Sequence, residues 1–253
     1  MRQPLFDMWG PYRASLLKSH NFYIEQAKKR LLSQFENMEA EADQYSEDWL
    51  EQQAEDFDPD HDDPSRYYEQ AHDASIDFYL MLENLRKNTR LSLVAGMFHE
   101  WDKQLRDWTT NEVRHWSNGD EVKKAIWRAP FECLIDLFEG LGWRIRSKGY
   151  FGSLNRCRLV VNAYKHGDGV ALDEIRKSHP EFLKTSLDDD LKFLQYASHE
   201  NLKIEDAHID EFSSAIIEFW NDVPDRIPYD EKLELPYWFM KNHARDVKQK
   251  TGS

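Results

Sequence analysis

At 253 residues the chain can bury a full core, and one domain, or one domain with an appendage, is expected. Charged residues make up 32% and aromatics 13%, including nine Trp, which describes a bulky aromatic core and excludes a disordered chain; no apolar run approaches the roughly 20 residues needed to span a bilayer. The net charge of −14 excludes a coat protein that binds nucleic acid by broad phosphate neutralisation, and leaves a small positive pocket or a basic partner as the alternatives.

Near the N-terminus, Asp7 and Arg13 interrupt any apolar signal core. The two cysteines, Cys133 and Cys157, both fall in helical patterns, and a reduced, cytoplasmic compartment is expected. From Arg13 to Phe57 there is neither Pro nor Gly, which predicts one long helix. Leu31, Phe35, Met38, Ala42, Tyr45 and Trp49 follow alternating steps of four and three, an a/d seam. That seam suits either a dimer interface or an intrachain helical hairpin. Residues 55–64 carry two prolines and many acids and read as a solvated loop. Its alternating Asp residues resemble the start of a calcium loop, but His61 stands where Gly is needed and no Glu closes the motif.

Ser65 to Trp116 contains two apolar faces, one from Tyr68 to Leu85 and one from Leu91 to Trp108, which predict two helices or one broken near Asn88 and Thr89. A turn at residues 117–120, with Asp120 as N-cap, opens a helix to Gly140 that kinks at Pro130. After Gly169 a short helix over Ala171–Lys177 stops at His179–Pro180, and residues 188–201 show no clear pattern. Ile209, Phe212, Ile216, Phe219 and Trp220 mark a helix capped by Asp206 and ended before Pro224. The rest is aromatic, then basic, and reads as a frayed tail. Without alternating strand patterns the fold class is all-α: a helical bundle with a long N-terminal helix or helical hairpin (1–64), a helical domain (65–225) and a tail (226–253).

The most informative segment runs from Asn155 to Gly169. It reads as one helix with Ser153 as N-cap and Gly167 in a left-handed C-cap. Leu154, Cys157, Val160, Val161 and Tyr164 form an apolar sector, and Asn155, Arg158, Asn162, Lys165 and His166 a polar one beside it. Two cations, two amides and a histidine without an acid can grip an anion and move a proton. The bland alternative is a polar network that tethers this helix to its neighbours. His99 with Glu100 is either a second polar wall of such a site or an ordinary helix pair. His115 and His179 suit a helix end and a turn. Phosphate-loop, nucleophile-elbow and zinc-helix signatures are absent, as is any Cys-x-x-Cys pair.

Arg158, Asn162 and His166 carry a resemblance to the key helix of the HEPN superfamily, all-α domains whose signature is an Arg, four to six residues, then His. Here seven residues intervene, so the pattern is stretched. The resemblance implies a metal-independent endoribonuclease in a toxin or phage-defence setting. His166 would be its acid or base, Arg158 would hold the phosphate, Asn162 would orient, and Asn155 and Lys165 would bind substrate. Neither a metal nor a cofactor is implied. It equally implies a non-catalytic module that binds a nucleotide, RNA or a partner protein such as an antitoxin. Arg158 and His166 lie roughly 12 Å apart along a helix, with Asn162 midway. A homodimer that pairs two such helices would bring Arg of one near His of the other.

Overall fold

The computed structural model describes residues 4–55, 57–117, 119–184 and 191–251. A short strand β1 (Pro4–Asp7) leads into helices α1 (Gly10–Arg30), α2 (Met38–Ala54), α3 (Pro64–Val113), α4 (Asp120–Arg128), α5 (Phe131–Gly140), α6 (Gly149–His166), α7 (Val170–Ser178) and α8 (Asp206–Asp222). Strand β2 (Arg226–Pro228) and helix α9 (Tyr237–Thr251) complete the chain. The all-α expectation holds, apart from the antiparallel pair of β1 with β2, in which Phe6 faces Ile227. Among the described residues no helix is long and apolar enough to cross a membrane.

The expected single N-terminal helix is instead two. A 3-10 turn at Leu32–Phe35 separates α1 from α2 and lets α2 fold back on α3. The Leu31–Trp49 seam is thereby used within the chain. Met38 and Ala42 are buried, Tyr45 stacks on Phe78 with ring centroids 4.5 Å apart, and Trp49 lies 6.4 Å from Tyr67. Of the two readings of the seam, the hairpin is the one realised.

α3 runs unbroken through Asn88 and Thr89, contrary to the expected break. Asp63 caps its start by accepting from the Ser65 N–H at 3.0 Å, and Pro64 needs no donor at the first position. Its second half is held by the core. Leu91, Val94, Met97, Trp101, Leu105 and Trp108 are buried there, and such packing overrides the modest propensities of Asn and Thr. Trp101 meets Phe219 edge to face at 5.0 Å, and Trp108 stacks on Phe138 at 5.9 Å, so the aromatic core joins α3, α5 and α8.

The expected kink at Pro130 is a corner between two separate helices, and α4 is capped from outside rather than by Asp120. The Asp246 carboxylate on α9 accepts from the backbone N–H of Glu121 and Val122, both at 3.0 Å. Gly119 permits this approach, since a Cβ there would collide with that carboxylate. At the other end Arg106 donates to the carbonyls of Ile126 and Ala129 at 2.7 and 2.9 Å while Asp102 holds its far side. Nor is the C-terminal stretch a frayed tail. β2 completes the sheet, Phe239 on α9 is fully buried, and Trp116 donates to the Leu5 carbonyl at 2.9 Å. α8 begins one residue earlier than expected, with Glu205 and His208 forming the capping box in place of Asp206.

Candidate functional site

α6 packs against α3, α7 and α8. Leu154, Cys157, Val160 and Val161, the expected apolar sector, are buried, and Tyr164 is half-buried with its hydroxyl 2.9 Å from Ser92 Oγ. The helix starts at Gly149 rather than at a Ser153 cap. Ser153 sits inside it and accepts from Arg156 at 2.9 Å. Around that start, Trp143, Lys148 and Tyr150 all donate to the Asp222 carboxylate at 2.7–2.8 Å, which pins α6 to the end of α8. Those three donors, set against the burial that is the largest single effect, hold the Asp222 carboxyl below its usual range.

The predicted polar sector divides in two. Arg158 donates through Nε and Nη2 to Asn155 Oδ1 at 3.0 and 2.7 Å. It lies 3.7 Å from the Glu132 carboxylate, and its guanidinium sits over the Phe131 ring, 5.8 Å from the centroid. Arg158 thus links α6 to Glu132 and Phe131 of α5, while its bonds to Asn155 stay within α6. Arg156 is likewise ion-paired, with Glu211 on α8.

Asn162, Lys165 and His166 form the other part. Among the described residues their side chains have no hydrogen-bond or ion-pair partner, and Lys165 and His166 are exposed at the C-terminal turn of α6. The Lys165 cation there suits the helix dipole. The Lys165 charge is felt on α3. Burial first, then Lys165, holds the His99 imidazole below its ordinary value, with Asp102 opposing. His99 thus belongs electrostatically to this corner.

Gly167 ends α6 as expected, but at φ +72° and ψ −143° it has a positive-φ backbone that favours glycine and lies outside the left-handed helical region expected of the cap. The turn delivers Asp168 to a partner that sequence reading missed. Asp168 Oδ1 accepts from the His199 backbone N–H at 2.9 Å and contacts the ring Nδ1 at 3.0 Å. Those two bonds, the backbone one first, hold the Asp168 carboxyl below its usual range. An ionised carboxylate only accepts, so Nδ1 is the protonated nitrogen and Nε2 carries the lone pair when the ring is neutral. A side chain placed on Gly167 would lie 3.6 Å from that ring, so His199 rests against the glycine directly after His166. The signal for Asp168 was its place between Gly167 and Gly169. His199 lies in a 3-10 turn (His199–Asn201), whose stretch has no apolar period to betray it.

Two imidazoles, a lysine, an amide and an orienting carboxylate therefore lie on the last turns of α6 and on the segments that follow it, four of the five exposed. A cleft of about 910 Å³ begins next to His199, between α3 (Arg86, Lys87, Arg90) and residues 200–205. Lys87 donates to the Glu200 carbonyl, strapping the His199 segment to α3. No group of three His, Cys, Asp or Glu that could hold a metal ion occurs among the described residues. Searches of protein-family models, curated proteins and solved structures find no match to this chain.

Proposed function

We propose that the protein is a HEPN-like, metal-independent endoribonuclease of a toxin or phage-defence setting, whose acid–base pair is His166 and His199. The observation that supports this reading is the Asp168–His199 bond, which fixes one imidazole against the glycine that follows the other. In the proposed reaction one histidine takes the proton of the RNA 2′-hydroxyl, and the oxygen attacks the adjacent phosphorus. The P–O5′ bond breaks as the second histidine gives its proton to the leaving oxygen, and a 2′,3′-cyclic phosphate remains. Lys165 offsets charge on the phosphate, Asn162 binds the ribose or base, and Asp168 is a positioning residue. Exposed groups suit a polymer that brings its own shape. If two chains pair, as the resemblance implies, Met38 and Ala42 of the seam take no part, being buried within the chain.

One observation favours a second reading, the non-catalytic binding module. Arg158, the cation that the resemblance assigns to the phosphate, is spent on Asn155 and Glu132. Incubation with a fluorescent single-stranded RNA in excess chelator separates the two. The nuclease reading expects cleavage to a cyclic phosphate that is lost in both His166→Ala and His199→Ala, and weakened in Asp168→Asn. Retention of RNA without cleavage supports the binding module. Cleavage that survives both histidine substitutions overturns the assignment.

A further inference from the structure

Charge is distributed unevenly along this chain. Residues Met38 to Leu85 include sixteen acids and one base, Arg66, so this stretch outweighs the entire net charge of −14 and the remainder is close to neutral. It corresponds to α2, the loop after it and the first half of α3. These form an arm that leaves the body. α2 makes its extensive contacts with α3 alone, and from Pro64 to Arg90 the sole buried residue of α3 is Ala71.

The arm holds apolar side chains that nothing covers. Ile76 is 44% and Leu80 57% exposed, one turn apart on α3. At 100° per residue, Glu69, Asp73, Ile76, Asp77, Leu80 and Glu83 share a sector of roughly 120°. That sector lies opposite the one occupied by Ala71 and Phe78, through which α3 meets α2. Of its acids Glu83 is ion-paired with Arg86, while the other three are uncompensated among the described residues. Glu69, Asp73 and Asp77 recur every four residues, as do Glu39, Asp43, Glu47 and Glu51 on α2, and none of these seven has an ion-pair partner among the described residues. Like charges at this spacing work against the helix that carries them, and a face built for solubility alone would alternate with lysine. At the root of the arm the sector runs into the 910 Å³ cleft, where Tyr79, Leu80 and Glu83 form one wall.

We propose that this sector of α3 docks a basic amphipathic helix of a partner protein. Its aliphatic residues cover Ile76 and Leu80, and its Lys and Arg side chains answer Glu69, Asp73 and Asp77. Charge complementarity selects this occupant. A second copy of the arm would bring like charge against like. The inference stands apart from the proposed cleavage, because it uses no residue of the α6 corner.

The test measures binding of a fluorescent Lys/Leu amphipathic peptide, about eighteen residues or roughly five turns long, to the full chain by anisotropy at low and high salt. Controls are a peptide with Glu in place of Lys and one of scrambled order. The expected result is binding of the amphipathic basic peptide alone, weakened by salt. Ile76→Ser with Leu80→Ser should weaken it by about tenfold or more, with helicity unchanged. Asp73→Lys with Asp77→Lys should also weaken it and flatten the salt dependence. Absence of binding, equal binding of the scrambled peptide, or full binding by the Ile76/Leu80 variant overturns the proposal. So does sedimentation showing that these residues join two copies of the chain.

Discussion

The guanidinium of Arg158 donates twice to the side-chain oxygen of Asn155, one turn earlier on α6, while resting on the Phe131 ring. A charged fork in that setting contributes to stability through hydrogen bonds and packing together. Arg158→Ala is expected to lower the unfolding free energy by about 1–3 kcal/mol. Lysine in its place should recover little, because it lacks the planar fork. Urea denaturation checks this, and an unchanged midpoint in Arg158→Ala would return Arg158 to the list of free phosphate ligands.

Asp246 and α4 yield a second prediction. The carboxylate is 5% exposed and satisfies two N–H groups at the start of a helix from which it is 125 residues distant in sequence. Asp246→Ala should cost about 1–2 kcal/mol, and Asp246→Asn less, since the amide oxygen still caps. The decisive measurement is hydrogen exchange at Glu121 and Val122, which should speed up in the alanine variant ahead of any change in the α6 amides.

The two thiols should differ in reactivity. Cys157 is fully buried in the α6 core face, and burial pushes its thiol well above the ordinary cysteine value. Cys133, on α5, is partly exposed. A chromogenic disulfide reagent should therefore titrate one thiol in the folded protein and the second upon addition of denaturant. Rapid modification of both without denaturant would mean that α6 is not packed as described.

His20 predicts a pH response. Its ring is buried beside Ser213 Oγ at 2.9 Å, and burial, the dominant effect over the Ser213 bond, holds it below the ordinary value of 6.5. As pH drops through 6.5 the unfolded chain takes up a proton that the folded chain refuses. Stability is thus full above pH 6.5 and declines below it, towards the lower pKa of the folded state. His20→Gln should flatten this part of the pH–stability curve without altering the neutral plateau greatly. Parallel curves for the two proteins would count against it.

Much of the fold was legible in the order of residues. The 3.6-residue period marked the buried faces of α3, α6 and α8, and Gly167 marked the end of α6, because a helix stripe and a positive-φ glycine at a helix end are local demands of backbone and side chain. Periodicity states which face is apolar and not what covers it. Whether Leu31–Trp49 met a second chain or its own was therefore decided by the turn at Leu32–Phe35 and the packing on α3. The same limit applied to the candidate site. A helical wheel groups Arg158 with His166, but cannot tell that Asn155 and Glu132 capture the arginine while the histidine stays free. His199 joins His166 through a bond to Asp168 that spans 31 residues of chain. Composition and local pattern determined the helices and their inner faces. The partners of each polar group were decided by the tertiary structure, since hydrogen bonds and ion pairs depend on distances that residue order does not set.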